Sequence, residues 1–351
     1  MSQRGTTIER DEDLAWCHEA VHDVSRTFSI TVQRLEDPMA THICLGYLLC
    51  RIADTVEDAG HIPPATQTEL LETYDAVLDP DDETTAEAFL AAVEPWIPDD
   101  EDPDDWRVVA NAPRVVRCYE NLDPEPREIM REPVRELVGG MAMFTERYAE
   151  AGGLRIEDLQ ELEEYCWYAA GTVGELITGL VTRSASEERA EVLRENARSF
   201  ALLLQLVNVA KDVESDWEEE NNVYLPREWL AEHGVDVDRI CDPEHERAVA
   251  MVVQQVTARA EDYLDDAQRY LEVLPEEQGN TLSAWAIPYL LAVGTIRELR
   301  ERPEDVVRDG DVKVSRAEVY ALIQLFERDV PRSAIEDLRR EIAQAPIHEQ
   351  L

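Results

Sequence analysis

Two short acidic stretches, Asp54-Thr-Val-Glu-Asp58 and Asp212-Val-Glu-Ser-Asp216, each lie inside an apolar segment patterned for a helix, about 150 residues apart. At helical spacing Asp54, Glu57 and Asp58 share one face, and so do Asp212 and Asp216. Like charges buried together repel and lose their hydration, so a core keeps them only where something binds them. The chain must therefore fold so that two carboxylate-bearing helix faces meet a ligand. Several magnesium ions with a diphosphate are what two such facing clusters suit.

The cations are as unevenly used as the acids. Of 33 Lys+Arg residues only two are lysines, Lys211 and Lys313. Lys211 directly precedes the second acidic stretch, and Lys313 lies in Val312-Lys-Val-Ser-Arg316. A chain this poor in lysine that keeps one beside a candidate metal site suggests a task for it.

The formal net charge is −44 over 351 residues. Nucleic-acid binding is excluded as a class, because neutralising phosphates needs a basic face. Disorder is a poor reading as well, since 44% of residues are hydrophobic and recur periodically. The charge instead predicts a solvated acidic surface on a protein of an extreme halophile. At multimolar salt the Debye length is about 3 Å or less, so self-repulsion is screened. Six cysteines, Cys17, Cys44, Cys50, Cys118, Cys166 and Cys241, are scattered without any Cys-x-x-Cys. With no apolar signal region at the N-terminus, they predict a reduced, cytoplasmic protein.

Nearly every periodic segment is helical. The spacing predicts helices over 12–35, 39–58, 66–78, 84–95, 104–121, 126–150, 157–182, 187–217, 244–272, 281–300 and, with a break, 315–345. Proline and glycine mark the interruptions. The acidic, proline-bearing region 79–105 reads as surface loops around a short helix, and the whole chain as one large all-α domain. The longest uncharged stretch, Asn280–Ile296, is slightly short for a membrane span and contains Pro288, so it reads as a buried core helix. No transmembrane segment is expected. Peripheral contact with a membrane, for product release, stays open.

Arg51 lies one turn before Asp54 and could pair with the carboxylates or hold a phosphate through both guanidinium nitrogens. Arg26 is a second phosphate candidate, and Tyr47 lies between them in the chain. In Tyr165-Cys-Trp-Tyr-Ala-Ala-Gly-Thr-Val-Gly174 the small residues Ala169, Ala170, Gly171 and Gly174 let a neighbouring backbone or a ligand approach closely. Aromatic faces beside such a gap can line an apolar pocket and stabilise a carbocation. Gln205, Asn208, Lys211 with Asp212, and Asp216 form a polar stripe along an otherwise apolar helix. A His-Glu-x-x-His pattern, His18-Glu-Ala-Val-His22, has the spacing of zinc metalloproteases, with Glu19 as general base, but no convincing third-ligand motif follows.

Taken in order, these segments resemble the squalene/phytoene synthase family, in its squalene-forming branch, from about Ser25 to about Ile323. Ser25-Arg-Thr-Phe resembles the family's phosphate-contacting opening. Asp54-Thr-Val-Glu-Asp58 resembles its first aspartate-rich motif. Tyr165-Cys-x-Tyr-x-Ala-Gly-x-Val-Gly174 resembles the segment with the catalytic tyrosine, and Asn208-x-x-Lys-Asp-x-x-x-Asp216 the second metal motif. Ala286-Ile-Pro288 and Val312-Lys-Val-Ser-Arg316 match the C-terminal part, including the basic segment associated with NADPH. The second motif departs from the usual pattern, because Ser215 stands where a glutamate is expected and Glu214 is one place early.

The resemblance implies an all-α isoprenoid-synthase fold with a central cavity, taking isoprenyl diphosphates as substrates. Asp54, Glu57, Asp58, Asp212 and Asp216 would hold Mg²⁺, with Asp54 and Asp212 essential to catalysis, and Arg26, Arg51 and Tyr47 would contact diphosphate. Tyr165 would stand near the proton lost when a cyclopropane closes, and Asn208, Lys211, Lys313 and Arg316 would serve NADPH. No Gly-x-Gly-x-x-Gly follows a strand, so a nicotinamide site here is not of the Rossmann type. Phytoene or dehydrosqualene formation, without reduction, is the rival within the family.

Overall fold

Helices begin where the sequence supplies caps. Ser25, Thr85, Asp158, Thr281 and Ser315 each accept a hydrogen bond from the backbone N–H three residues on, an arrangement that contributes about 1 kcal/mol apiece. Pro64 and Pro124 open their helices at the first position, where a missing N–H costs nothing. The structure, a computed structural model, describes residues 2–98, 104–308, 310, 312–328 and 330–350; the side chains of 2–10, 26 and 27 lie outside that description.

The helices run in order α1 (Ser2–Val24), α2 (Arg26–Arg34), α3 (Met39–Glu57), α4 (Pro64–Leu78), α5 (Ala86–Val93), α6 (Asp104–Ala110), α7 (Ala112–Glu120), α8 (Pro124–Arg147), α9 (Leu159–Cys166) and α10 (Thr172–Thr182). They continue as α11 (Glu187–Lys211), α12 (Val213–Glu220), α13 (Arg227–Glu232), α14 (Glu246–Glu261), α15 (Leu264–Val273), α16 (Leu282–Glu301), α17 (Asp305–Arg308), α18 (Arg316–Phe326) and α19 (Ile335–Ile342). The fold is all-α. Two helices organise it: α8 packs on α3, α4 and α10, and α11 packs on α10, α14, α15 and α16. The expected core helix is α16, buried along nearly its whole length with Pro288 inside it. No helix among the described residues is long and apolar enough to cross a membrane.

The predicted helices recur with four extra breaks. Region 12–35 divides at Ser25, whose hydroxyl caps a new helix. Region 104–121 divides at Asn111, just before Pro113. Region 187–217 divides at Asp212, whose φ/ψ of −100/14 leaves the helical range, and 244–272 divides at 262–263. The short α13, which the spacing did not predict, starts directly after Pro226. Around 79–85 the acidic side chains close the turns themselves: Asp79 accepts from Asp81 N and Asp82 from Thr84 N, both at 2.8 Å.

Two local features shape the site. Between α9 and α10 the five residues Trp167–Gly171 form a π-helical turn, an irregularity frequent at functional sites. A Cβ on Gly171 would lie 2.3 Å from the Trp167 ring, and one on Gly140 2.2 Å from the Tyr168 ring, so both glycines make room for aromatics of this turn. The second feature is the joint between segment 152–156 and the end of α12. Arg155 and Val223 form a parallel β-bridge, and a Cβ on Gly153 would lie 2.1 Å from the carbonyl oxygen of Asn221. Asn221 ends α12 in the left-handed conformation, φ 59°, and Arg155 donates to its backbone oxygen at 2.5 Å and to its Oδ1 at 2.9 Å.

Candidate active site

The first acidic stretch closes α3. Arg51 donates through Nε to Asp105 at 2.7 Å and is ion-paired with Asp54. Tyr47, one turn earlier, stacks on Phe28 of α2 at 4.2 Å between ring centroids. Arg51 is thus held between two carboxylates. Asp54 and Asp58 are part-exposed, whereas Glu57 is only 5% exposed.

The second stretch straddles the break between α11 and α12. Lys211 pairs with its neighbour Asp212. The Ser215 hydroxyl turns back to donate to the Asp212 carbonyl at 2.9 Å and so faces its own helix. Glu214 lies against residue 310, where a Cβ would stand 2.3 Å from Glu214 Oε2. Neither residue at the departure from the family motif therefore turns toward the first stretch. Glu220 does, one turn beyond Asp216: its charge bears on Asp58 and Glu57, and the charge of Asp54 bears on it. Glutamates fill 218–220, and only the progression Asp212, Asp216, Glu220 in steps of four singles out this one.

Tyr165, at the end of α9, enters this group from the side. Its hydroxyl donates to Tyr224 Oη at 3.1 Å and lies 3.4 Å from Glu57 Oε2. Asn222 fixes the assembly. Its Nδ2 donates to Tyr224 Oη at 3.1 Å and to Glu220 at 3.2 Å, and its Oδ1 accepts from Leu154 N at 2.8 Å. Phe144 of α8 packs edge-on against the Tyr165 ring at 5.3 Å.

Burial and mutual repulsion raise four of these carboxyls, Glu57, Asp58, Asp216 and Glu220. Glu57 is pushed well above the usual carboxylate range by burial, then by Asp54 and Glu220. Asp58 rises for the same reasons. Asp216 is pushed up to about 9 by burial, then by Glu220 and Asp212, with Lys211 opposing. Glu220 rises to about 7 through burial, against its hydrogen bond from Asn222. Burial also raises the Tyr165 hydroxyl, helped by Glu57 and Asp58. An all-oxygen donor set that repels itself, with Glu57 Oε1 buried and without a hydrogen-bond partner, fits hard divalent cations such as Mg²⁺.

Asn208 is exposed on the stripe that leads to Lys211. Lys313 and Arg316 are exposed on the segment after α17, and α17 itself packs on α12. The side chain of Arg26 lies outside the described residues. In the His18–His22 pattern, His18 Nε2 is 3.5 Å from Thr41 Oγ1, Glu19 is exposed, and the 66%-exposed His22 pairs with Asp23 at 3.7 Å. Among the described residues no third ligand joins them. Spacing did not point to Asp105, Glu220, Asn222 or Tyr224.

The fold is thus all-helical, with a carboxylate-bearing helix end beside a buried tyrosine. The match to the squalene/phytoene synthase family model covers residues 21–318, and the chain belongs to that family. It is 26% identical to squalene synthase LSS of Botryococcus braunii over 319 residues, which is 90% of this chain and 64% of that protein. It is 25% identical to a squalene synthase of Cyberlindnera jadinii, over 89% of this chain and 67% of that protein. The chain thus spans about two thirds of the length of these curated relatives. Among solved structures, TcSQS in complex with the ligand BPH1237 superposes with a TM-score of 0.75 at 23% identity, covering 97% of this chain and 99% of that one. A dehydrosqualene synthase in complex with a ligand gives a TM-score of 0.62 at 19% identity, covering 91% and 97%.

Proposed function

We propose that this chain, acting as one helical domain in a reduced cytoplasmic setting, joins two farnesyl diphosphates head to head through presqualene diphosphate and then reduces the product to squalene. The observation that carries the reading is the placement of the Tyr165 hydroxyl between Glu57 of the first acidic stretch and Tyr224, which shares Asn222 with Glu220 just beyond the second. A tyrosine so placed can take part in a proton transfer beside a leaving diphosphate.

Asp54, Glu57, Asp58, Asp212 and Asp216 would hold Mg²⁺, and Asn208, Lys211, Lys313 and Arg316 would hold NADPH. When bound, the metal supplies positive charge to the departing diphosphate and the nicotinamide supplies hydride. The chain's own residues do the rest. Arg51 exchanges Asp54 or Asp105 for a phosphate oxygen, and Tyr47 and Arg26 are assigned to the same diphosphate. Part-buried apolar side chains such as Tyr168, Val173, Ile177 and Leu204 keep water from the allylic cation while the second double bond attacks. Tyr165, oriented by Tyr224, receives or relays the proton lost as the cyclopropane closes.

The test is a product assay. The purified chain in multimolar KCl with Mg²⁺ receives farnesyl diphosphate with and without NADPH, and the extracts are analysed by mass spectrometry. Squalene formed only with NADPH, and presqualene diphosphate without it, is the expected result. Dehydrosqualene irrespective of NADPH, or turnover only with geranylgeranyl diphosphate to phytoene, overturns the reductive reading.

A further inference from the structure

Glu57 and Glu220 line one small cavity of about 50 Å³, together with Thr145, Gln67, Tyr148, Asn222 and the glycines 152 and 153. Asp54, Asp58, Asp212 and Asp216 do not line it, nor, among the described residues, does any arginine, lysine or histidine. Two carboxylates therefore face one space with no basic group on its wall. Two buried oxygens of these lining residues, Glu57 Oε1 and Thr145 Oγ1, have no hydrogen-bond partner, and both residues are 5% exposed.

The donors on the wall are already committed. Gln67 Nε2 donates to the carbonyls of Val56, Glu57 and Ala59. Tyr148 donates to Glu161 at 2.7 Å. Asn222 Nδ2 serves Glu220 and Tyr224. What remains is two carboxylates and a hydroxyl around a polar space, an all-oxygen set of the kind hard divalent cations take.

We propose that Glu57, Glu220 and Thr145 form a divalent-cation position of their own, separate from the metals that Asp54, Asp58, Asp212 and Asp216 would hold on the diphosphate. The position deepens the proposed function, because it rests on reading Glu57 as a metal ligand. It also gives the second acidic stretch the third carboxylate that Ser215 and Glu214 do not supply. Its charge keeps Glu57 ionised as acceptor for Tyr165, and Asn222 is the positioning residue that holds Glu220 toward it.

The test uses Mn²⁺ as probe, titrated into the full chain in multimolar KCl with and without inorganic diphosphate, with free Mn²⁺ followed by electron paramagnetic resonance. One diphosphate-independent Mn²⁺ should persist in the Asp54→Asn/Asp212→Asn double variant. In Glu220→Gln it should weaken about ten-fold or more, and in Thr145→Val by less. Melting in EDTA controls for folding, and Glu220→Gln should melt no lower than the unaltered chain because a repulsion is removed. Unchanged Mn²⁺ number and affinity in Glu220→Gln overturns the position, and so does loss of all Mn²⁺ in the double variant. If the diphosphate-dependent Mn²⁺ also survives that double variant unaltered, the reading of Asp54 and Asp212 falls while the Glu57–Glu220 position stands.

Discussion

The Tyr165 hydroxyl donates to the Tyr224 hydroxyl at 3.1 Å, with the two rings 4.8 Å apart, although 59 positions separate them in the chain. Tyr224 thereby aims Tyr165 without belonging to either acidic stretch. Tyr224→Phe removes the acceptor and leaves only the longer contact to Glu57. We expect a stability loss of about 1 kcal/mol, lower kcat and little change in KM. Tyr165→Phe should cost about 10²- to 10⁴-fold in kcat. Steady-state kinetics with thermal melts of both variants check this, and equal kcat for Tyr224→Phe and the unaltered chain would remove the positioning role.

The raised carboxyls make a prediction about pH. In the metal-free protein Asp216 titrates near 9 and Glu220 near 7, well above an unfolded chain's carboxylates. Through that window the folded state binds more protons than the unfolded one, so stability falls as pH rises. Asp216→Asn should therefore be more stable than the unaltered metal-free chain at pH 8, by about 1–3 kcal/mol, and the gap should close toward pH 4. Excess Mg²⁺ should reverse the order at pH 8. Denaturation midpoints across pH, with EDTA or Mg²⁺, measure it.

Lys313 and the carboxylates should separate the two halves of the reaction. Lys313→Ala is expected to leave the first condensation intact and block reduction, so that presqualene diphosphate or unreduced hydrocarbon accumulates. Asp54→Ala or Asp212→Ala should abolish diphosphate release, a loss of several kcal/mol of transition-state stabilisation. Diphosphate release and hydrocarbon yield, followed together, give the comparison. Parallel loss of both steps in Lys313→Ala would withdraw its assignment to NADPH.

Charge acts in two opposite ways on stability here. The net −44 is spread over the surface and needs salt, so circular dichroism should show loss of helix on dialysis into dilute buffer. Arg297 and Glu318 instead form a bidentate pair, 4% and 1% exposed, with hydrogen bonds of 3.1 and 2.8 Å. Arg297 also donates to the Ile342 carbonyl at 2.6 Å, and Glu318 accepts from Ile347 N at 3.2 Å, which ties α16 and α18 to the C-terminal segment. Glu318→Ala leaves the buried guanidinium with only the Glu298 carboxylate, at 2.8 Å, and should cost up to about 3–5 kcal/mol, with little dependence on salt. Urea titrations at several KCl concentrations test both statements.

The helices were legible because apolar residues recur at helical spacing and because prolines and hydroxyl caps mark their starts. The breaks at Ser25 and Asp212 were not, since one cap or one altered φ/ψ leaves the apolar period nearly untouched. Asp54, Glu57, Asp58, Asp212 and Asp216 stood out as acids in apolar surroundings. Glu220 did not, because it is one glutamate of three and only the packing of α12 selects it. Asp105, Asn222 and Tyr224 reach the site from positions that no local pattern connects to it; the one cue was an Asn-x-Tyr just past a helix end. Glu57 was expected to act with Asp54 and Asp58 as a single face, yet its burial sets it toward Tyr165.

The turn from Trp167 to Gly171 works as an angular offset inside one continuous rod. Each residue of an α-helix advances its neighbours by about 100°, and a π-turn holds an extra residue that shifts everything beyond it. Before the turn, Tyr165 bears on Glu57 and Tyr224; after it, a Cβ on Gly174 would lie 2.9 Å from the Ala201 Cβ of α11. Removing one of Ala169 or Ala170 would leave hydropathy and charge almost as they are. It would nevertheless swing the hydroxyl and the glycine out of mutual alignment, so that one docked while the other missed. The length of this stretch, more than its composition, keeps the reacting end and the packing end of the rod in step.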